Sequence, residues 1–347
     1  MTTIALAPIQ RAESPGLWML AWRRFRRDRV GIISLAVVVV FVAVAVASAA
    51  RLVAADWNRE IAVSYAPPTS IGVDLSSMPA GGAEQPGAFS LPAESSIEDP
   101  LEQDLAEIRK ELAGASGAIA KAATLPLGAD KWGRDVLLKA IKGTETSLLV
   151  GFAAALLATF LGTLFGAQAG YLGGRVDDFF NWLYSVLTSI PYLLLILAIA
   201  AVLDRKGTTT VVLILGFTGW TGIFRLVRAE YLKHKVREYV QAADAIGASH
   251  RRRMFVHILP NVSHVVLVQL SLHVVLFIKS EVILSFLGFG VGVDTVSWGS
   301  MLNEAQSELL TGKWWQLVAA TAAMAALVTA FSLFTDALRD ALDPRLK

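Results

Sequence analysis

Residues 238–261, EYVQAADAIGASHRRRMFVHILPN, form a charged island between two long apolar segments of the chain. The island starts with a stretch that favours a helix, and it continues through a basic run to a terminal Leu-Pro. Gly247 provides a stop, because glycine adopts the positive φ that ends many helices. Pro260 has no N–H donor and constrains the chain where it re-enters the membrane. A polar helix with its own start and stop, placed between two membrane spans, indicates a surface that contacts another protein.

The composition predicts a membrane protein around this island. The chain has 347 residues, of which 54% are hydrophobic and 17% are charged. Roughly 20 apolar residues cross a hydrocarbon core of about 30 Å. Six segments approach or reach that length: 31–54, 148–170, 179–203, 209–224, 262–284 and 315–338. Because backbone groups in lipid must be satisfied within the segment, we predict an all-α polytopic protein with six transmembrane helices. The alternative, a large soluble α protein, does not explain so many unbroken apolar runs.

The distribution of charge predicts the orientation. Five arginines precede the first span: Arg23, Arg24, Arg26, Arg27 and Arg29. By the positive-inside rule this end is cytoplasmic, and six spans return the C-terminus to the same side. Residues 56–123, which the topology places outside, contain eleven acidic and four basic residues. A cleaved signal peptide is the alternative for the first segment, but the apolar run exceeds the usual core of about 7–15 residues.

The predicted organisation has four parts. They are a basic cytoplasmic segment (1–30), a first span (31–54), an external loop (55–146) and a core with five spans (147–347) that contains a cytoplasmic loop at 229–261. Residues 64–100 are rich in Pro, Gly, Ser and Ala and are predicted to be a loop or linker. A helix is predicted over 98–112, with leucine and isoleucine on one face. It either covers the external mouth or packs on a partner, or it is a small solvated helix.

The motifs of common enzymes are missing from the sequence. The chain has no G-x-x-x-x-G-K-[ST] phosphate loop, no H-E-x-x-H pair and no cysteine. We therefore predict no catalytic residue, no metal site, no nucleic-acid partner and no cofactor in this chain. Gly170, Gly173 and Gly174 do not follow a strand, and we interpret them as sites of close helix packing and a tight turn.

The island has the spacing of a known signature. Gln241-Ala242-Ala243, then Gly247, then Leu259-Pro260 resembles the coupling loop of ATP-binding-cassette (ABC) importer permeases. That signature is Glu-Ala-Ala, three residues, Gly, nine residues, then Ile-x-Leu-Pro. Here Gln241 replaces the acid and His257 occupies the Ile position. A basic loop that anchors to anionic lipid is the alternative, but it does not explain the ordered Ala, Gly and Leu-Pro series.

Other segments resemble the dipeptide, oligopeptide and nickel branch of these permeases. The matching segments are 126–130 (PLGAD), 133–137 (GRDVL), 285–288 (SFLG), 297–302 (SWGSML) and 343–346 (DPRL). The resemblance covers residues 15–55 and 125–347, and it omits most of the 56–123 insert. It allows peptides, modified peptides, nickel, opines or oligosaccharides as substrates.

The resemblance implies a type I ABC importer permease fold in the bacterial cytoplasmic membrane. The implied partners are a second permease, two ATPases that bind ATP and Mg, a periplasmic or lipid-anchored solute-binding protein, and membrane lipid. Residues 238–250 are then the coupling helix. The expected coupling residues are Glu238, Gln241, Ala242, Ala243, Asp244, Gly247, Leu259 and Pro260. Glu238 and Asp244 are the two candidates for the acid that Gln241 lacks.

Three residues are candidates for the substrate pathway. Lys279 and Glu281 lie near the external end of the fifth span, where an ionisable residue is a functional candidate. They either line the pathway or lie beyond the hydrocarbon and pair with each other or a partner. Trp298 follows in the loop between spans five and six, as part of an external gate or a dock for the solute-binding protein.

Two further function classes remain open from the sequence. A stand-alone secondary transporter or channel should show inverted repeats or paired broken helices. Pro191 supplies one candidate break, and no second segment matches it. A membrane scaffold or receptor that acts through the external insert would leave the cytoplasmic island unexplained.

Overall fold

A computed structural model describes residues 17–72, 121–292 and 294–342, and this part of the chain is helical. The helices are α1 (Leu17–Phe25), α2 (Arg29–Ala49), α3 (Val136–Leu172), α4 (Gly174–Thr188), α5 (Tyr192–Leu203), α6 (Thr208–Thr218), α7 (Thr221–His234), α8 (Glu238–Ala245), α9 (His250–Phe286), α10 (Trp298–Leu310) and α11 (Trp315–Leu342). The chain divides into two compact units. One contains Met1–Trp57 and Leu138–Lys347, and the other contains Asn58–Leu137.

The helices confirm a polytopic all-α protein. Among the described residues, five segments are long and apolar enough to cross a membrane: α2, α3, α6 with α7 (Thr208–His234), α9 and α11. α4 and α5 form a sixth span only as a pair bent by 85°. The span predicted over 179–203 is therefore two helices, and the break lies at the candidate position, Pro191. Pro191 ends α4, because proline has no N–H donor and disfavours helical φ/ψ in the residue before it.

Two other helix boundaries differ from those that the sequence predicts. The weak fourth span, predicted at 209–224, continues to His234, because α7 follows α6 after a short interruption at Gly219 and Trp220. The sequence also allows one helix from Glu230 to Ile246, but the structure has two, since α7 ends at His234 and α8 begins at Glu238. The predicted helix at 98–112 lies outside the described residues.

A stripe of glycines brings α3 against α7. Gly162, Gly166 and Gly170 recur every fourth residue along α3. A Cβ atom on Gly166 would lie 2.8 Å from the Phe224 carbonyl oxygen, and one on Gly170 would lie 2.6 Å from the Arg228 carbonyl oxygen. Small residues at this spacing allow two backbones to approach closely, so the packing role predicted for Gly170 is confirmed. The predicted turn at Gly173 and Gly174 is also confirmed, because α3 ends and α4 begins there.

The unit 58–137 has a small core around Ala62, Ala66, Leu125 and Ala129. The Asp130 carboxylate accepts hydrogen bonds from the backbone N–H groups of Trp132 and Arg134, both at 2.9 Å. The segments 126–130 and 133–137, which carried part of the resemblance, thus build a tight turn before α3.

Candidate functional site

The helix α8 is attached to the bundle by one face. Val240 and Ala243 are its two buried residues, with 3% and 4% exposure. Val240 belongs to a core cluster drawn from α3, α7 and α9. The other members of this cluster are Ala167, Ile223, Val227, Tyr231, Met254, Ile258 and Val262. One short helix therefore rests on the ends of three longer ones.

The opposite face of α8 is exposed. Glu238, Gln241 and Ala242 of the predicted coupling set lie on this face, Asp244 is exposed at the edge of the buried face, and Gly247 is exposed beyond the end of the helix. A single helix over 230–246 would place Val236 and Ile246 on its apolar side, but they are 63% and 84% exposed. Val236 precedes α8, and Ile246 follows its last helical residue. Small side chains keep the exposed surface flat at Ala242 and Ala245.

Gly247 ends α8 as its sequence position predicts. Its φ is +82°, in the left-handed region that favours glycine. The Ala248 N–H donates to the Ala243 carbonyl at 2.9 Å, and the Gly247 N–H donates to the Asp244 carbonyl at 2.8 Å. These bonds satisfy two of the carbonyls that a helix end leaves without an intrahelical donor.

The structure separates the two acids that could replace the missing Glu. Asp244 forms an ion pair with Arg253 at 2.5 Å, so its charge is compensated within the chain. Glu238 is exposed, and it forms no hydrogen bond or ion pair with any residue that the structure describes. Glu238 also lies in the first turn of α8, where the helix dipole favours a negative charge.

Gln241 and Tyr239 hold α8 to the segment before it. The Gln241 side-chain amide donates to the Val236 carbonyl at 3.3 Å, which a carboxylate cannot do. The Tyr239 hydroxyl shares a hydrogen bond of 2.7 Å with His234 Nδ1 at the end of α7. Burial raises the pKa of the Tyr239 phenol, so the hydroxyl keeps its proton for this bond.

Leu259 and Pro260 lie inside α9 and do not mark its start. Residues Arg253–Ile258 form a π-helical turn, and the Leu259 N–H donates to the Met254 carbonyl. The buried Tyr231 hydroxyl of α7 donates to the same carbonyl at 3.0 Å. This wider turn ends directly before Pro260, which has no N–H to donate. The basic run at 251–253, predicted as part of a loop, is the first turn of α9.

Two of the three predicted pathway residues are buried between helices. Glu281 is 0% exposed and accepts hydrogen bonds from the Ser147 hydroxyl at 2.9 Å and the Ser285 hydroxyl at 2.7 Å. Trp298, also 0% exposed, donates from its ring nitrogen to the Ala140 carbonyl at 3.1 Å. These contacts connect α3, α9 and α10 and do not support a pathway role. Lys279 is exposed, and the alternative pairing with Glu281 is not formed.

The sequence did not indicate two further polar contacts. Asp177 of α4 and Arg228 of α7 form a two-pronged ion pair, with N–O distances of 2.5 and 2.6 Å. The Lys139 ammonium, on a side chain only 1% exposed, contacts Glu304 at 2.7 Å and Gln316 at 3.1 Å. The partners are 51 and 165 residues apart, so no local pattern pairs them. Within the described residues, no group of His, Asp or Glu side chains could hold a metal ion.

The sequence matches known permeases over most of its length. Residues 158–347 match the profile of the binding-protein-dependent transport system inner membrane component, and residues 16–68 match the N-terminal TM domain of oligopeptide transport permease C. The chain is 38% identical over 229 residues to the dipeptide transport system permease protein DppC of Bacillus subtilis (strain 168), covering 64% of this chain and 71% of that protein. It is 36% identical over 220 residues to the oligopeptide transport system permease protein OppC of the same strain, covering 63% and 72%.

A longer match has lower identity. The dipeptide transport system permease protein DppC of Lactococcus lactis subsp. cremoris (strain MG1363) is 28% identical over 329 residues, which cover 94% of this chain and 90% of that protein. The first profile covers more than half of the chain and includes α8 and all of α9. The chain therefore belongs to the family of binding-protein-dependent transport system inner membrane components.

Proposed function

We propose that this chain is the transmembrane permease subunit of an ATP-driven ABC importer for peptides. It forms half of the translocation pathway, and α8 couples that pathway to cytoplasmic ATPases. Membership of the family supports the transport role, and the names of the dipeptide and oligopeptide relatives support the substrate class. The chain itself is not catalytic, and its partner ATPases bind ATP and Mg.

The attachment of α8 is the observation that carries the proposal. Val240 packs in the core cluster formed with α3, α7 and α9, and Ala243 is buried as well, while Glu238 and Ala242 stay exposed. A displacement of α8 by a docked ATPase is therefore passed to three helices of the bundle at once. Such coupling needs a two-state element whose equilibrium the nucleotide biases, and closely packed helices that move together supply one.

The roles within the proposed coupling set follow from burial. The exposed residues of the set contact the ATPase or shape the surface that it contacts; they are Glu238, Ala242 and Gly247. The buried Ala243 anchors α8. Gln241, Asp244, Leu259 and Pro260 position α8 and the start of α9. Of the pathway candidates, only Lys279 is retained, since Glu281 and Trp298 are committed to contacts between helices.

The proposed assembly contains a second homologous permease, two ABC ATPases and a periplasmic or lipid-anchored solute-binding protein. It lies in the bacterial cytoplasmic membrane with α8 and both termini on the cytoplasmic side. The arginines before α2 and the basic residues around α8 support this orientation.

Affinity capture of the chain from its host membranes tests the proposal. A C-terminal tag and mild detergent should recover a second six-span permease and one or two ATPases, identified by mass spectrometry. Ala242→Trp should lose the ATPases and keep the second permease, because a large side chain blocks the flat face of α8. Ala242→Ser is the matched control and should keep both partners.

Two outcomes would contradict the proposal: recovery of the wild-type chain alone, or equal ATPase recovery with Ala242→Trp. The first would favour a stand-alone secondary transporter. That class expects two broken helices in corresponding positions, and the described residues contain one broken span, α4 with α5.

A further inference from the structure

The positively charged arginines near the N-terminus have no role in the proposed coupling to the ATPases. Arg23, Arg26, Arg27 and Arg29 form no ion pair with any carboxylate among the described residues. Asp28 lies between them, and its carboxylate accepts the Val30 N–H at 2.9 Å as the N-cap of α2. The start of α2 therefore carries a concentrated positive charge.

An apolar crevice lies directly beside this charge. Its volume is about 260 Å³, and it lies between α1, α2 and α11. The lining residues are Ala21, Trp22, Phe25, Leu35, Phe334, Leu338, Ala341 and Leu342. Phe25 packs edge-on against Phe334 at 5.9 Å between ring centroids, while Trp22 is 56% exposed. The Arg26 guanidinium lies 6.0 Å from the centroid of the Trp22 ring, so the charge and the crevice adjoin.

The surrounding helices face outward from the bundle. Only 17% of the apolar window of α2 and 22% of that of α11 is buried within the chain. Arginine and tryptophan at the end of a span are typical of the membrane interface. The crevice thus opens where hydrocarbon meets headgroups, and a ligand with an alkyl chain and an anionic head matches both of its parts.

We propose that this crevice is a binding site for an anionic phospholipid. One acyl chain fills the space between α1 and α11, and the headgroup phosphate accepts hydrogen bonds from Arg26 and Arg27. Guanidinium groups suit this role because they present paired donors to phosphate oxygens. An apolar helix of a partner would fill the crevice but leave the arginines uncompensated, so charge complementarity favours the lipid.

Native mass spectrometry of the chain with its co-purified subunits tests the site. The probe is dioleoyl-phosphatidylglycerol, with dioleoyl-phosphatidylcholine in parallel. The wild type should show one saturable phosphatidylglycerol site per chain. Arg26→Gln/Arg27→Gln should weaken it about 10- to 30-fold, since two charges near an anionic headgroup are removed. Phosphatidylcholine binding should not change. The matched control is Arg205→Gln/Lys206→Gln, a second pair of adjacent exposed cations, after α5, and should bind both lipids as the wild type does.

A second variant tests the crevice separately from the charge. Leu338→Trp fills the cavity and should lower phosphatidylglycerol occupancy with all arginines present; its thermal midpoint in detergent should match the wild type. Three results would overturn the proposal: unchanged phosphatidylglycerol affinity in the double arginine variant, unchanged affinity in Leu338→Trp, or a photoreactive residue at 338 that cross-links to a protein subunit and not to lipid.

Discussion

At the scale of single residues, Gly247 gives the most direct test of the coupling surface. A Cβ atom there would have no neighbour within 4 Å, so the effect of a substitution comes from the backbone alone. A β-branched side chain in left-handed φ/ψ costs roughly 1–2 kcal/mol, whereas asparagine adopts this region more readily. We expect Gly247→Val to capture at least fivefold less ATPase per permease, and Gly247→Asn to stay close to wild type. Quantitative mass spectrometry of the captured complex measures the ratio of ATPase to permease. Equal capture of ATPase by both variants would contradict this expectation.

The two acids near Gln241 should differ in effect. Glu238 has no partner among the described residues, so Glu238→Gln should weaken the binding of purified ATPase. The affinity of the variant should also depend less on salt concentration. Asp244→Asn should have a small effect, because an ion pair with a 62% exposed carboxylate contributes about 0–1 kcal/mol. Titration of the detergent-solubilised permease with ATPase at low and high NaCl compares them. A larger loss for Asp244→Asn would reassign the charge to Asp244.

Ala242 and Ala243 show how far a residue motif can be interpreted without a fold. They are adjacent and identical, and the resemblance assigns both to coupling. Only the packing of α8 on α3, α7 and α9 shows that Ala243 is buried and Ala242 is exposed. The same packing explains why a bulky residue at 243 would displace α8, whereas one at 242 would block a partner.

At the scale of helices, the glycine stripe of α3 sets the distance to α7. A Cβ atom on Gly166 would meet the Phe224 carbonyl at 2.8 Å and the Val227 Cβ at 2.9 Å, and Gly166→Leu adds three more carbons. Overpacking of this kind typically costs about 1–3 kcal/mol. We expect Gly166→Leu to lower the thermal unfolding midpoint of the purified chain in detergent by several degrees. Gly222→Ala is the matched control, because its nearest neighbour would be the His273 ring at 3.8 Å. Equal midpoints for the two variants would show that the close approach is not needed.

The breaks between helices differ in how visible they are in the sequence. Pro191 marks the break between α4 and α5, since its chemistry forbids one helical hydrogen bond wherever it lies. Pro260 predicts a similar interruption, but α9 continues through it. The helix widens into a π-helical turn before Pro260, and the Tyr231 hydroxyl of α7 donates to the Met254 carbonyl within that turn.

At the scale of the whole molecule, the proposed orientation can be tested by labelling single introduced cysteines. The chain contains no cysteine of its own, so there is no background labelling. Lys206→Cys lies in the exposed turn between α5 and α6, and Ala248→Cys follows α8. A membrane-impermeant maleimide should label Lys206→Cys in intact spheroplasts. It should label Ala248→Cys only after the membrane is opened, since the basic residues near α8 favour the cytoplasmic side. Reversed accessibility of the two sites would invert the topology and remove α8 from reach of cytoplasmic ATPases.

The sequence by itself determined the class of fold, the approximate position of the spans and the place of the candidate coupling helix. These features are local: apolar length decides which segments cross hydrocarbon, and Gly247 ends α8 wherever that helix is packed. The match to the permease family over residues 158–347 also comes from the sequence alone.

Only the tertiary structure decided which of these residues remain available to a partner. It pairs Asp244 with Arg253, buries Glu281 and Trp298 between helices, bends α4 from α5 by 85°, and joins Asp177 to Arg228. The burial of Glu281 and the Asp177–Arg228 ion pair depend on groups from helices that lie far apart in the chain. Hydrogen bonds, ion pairs and burial are set by distance in space, and spacing along the chain does not reveal them.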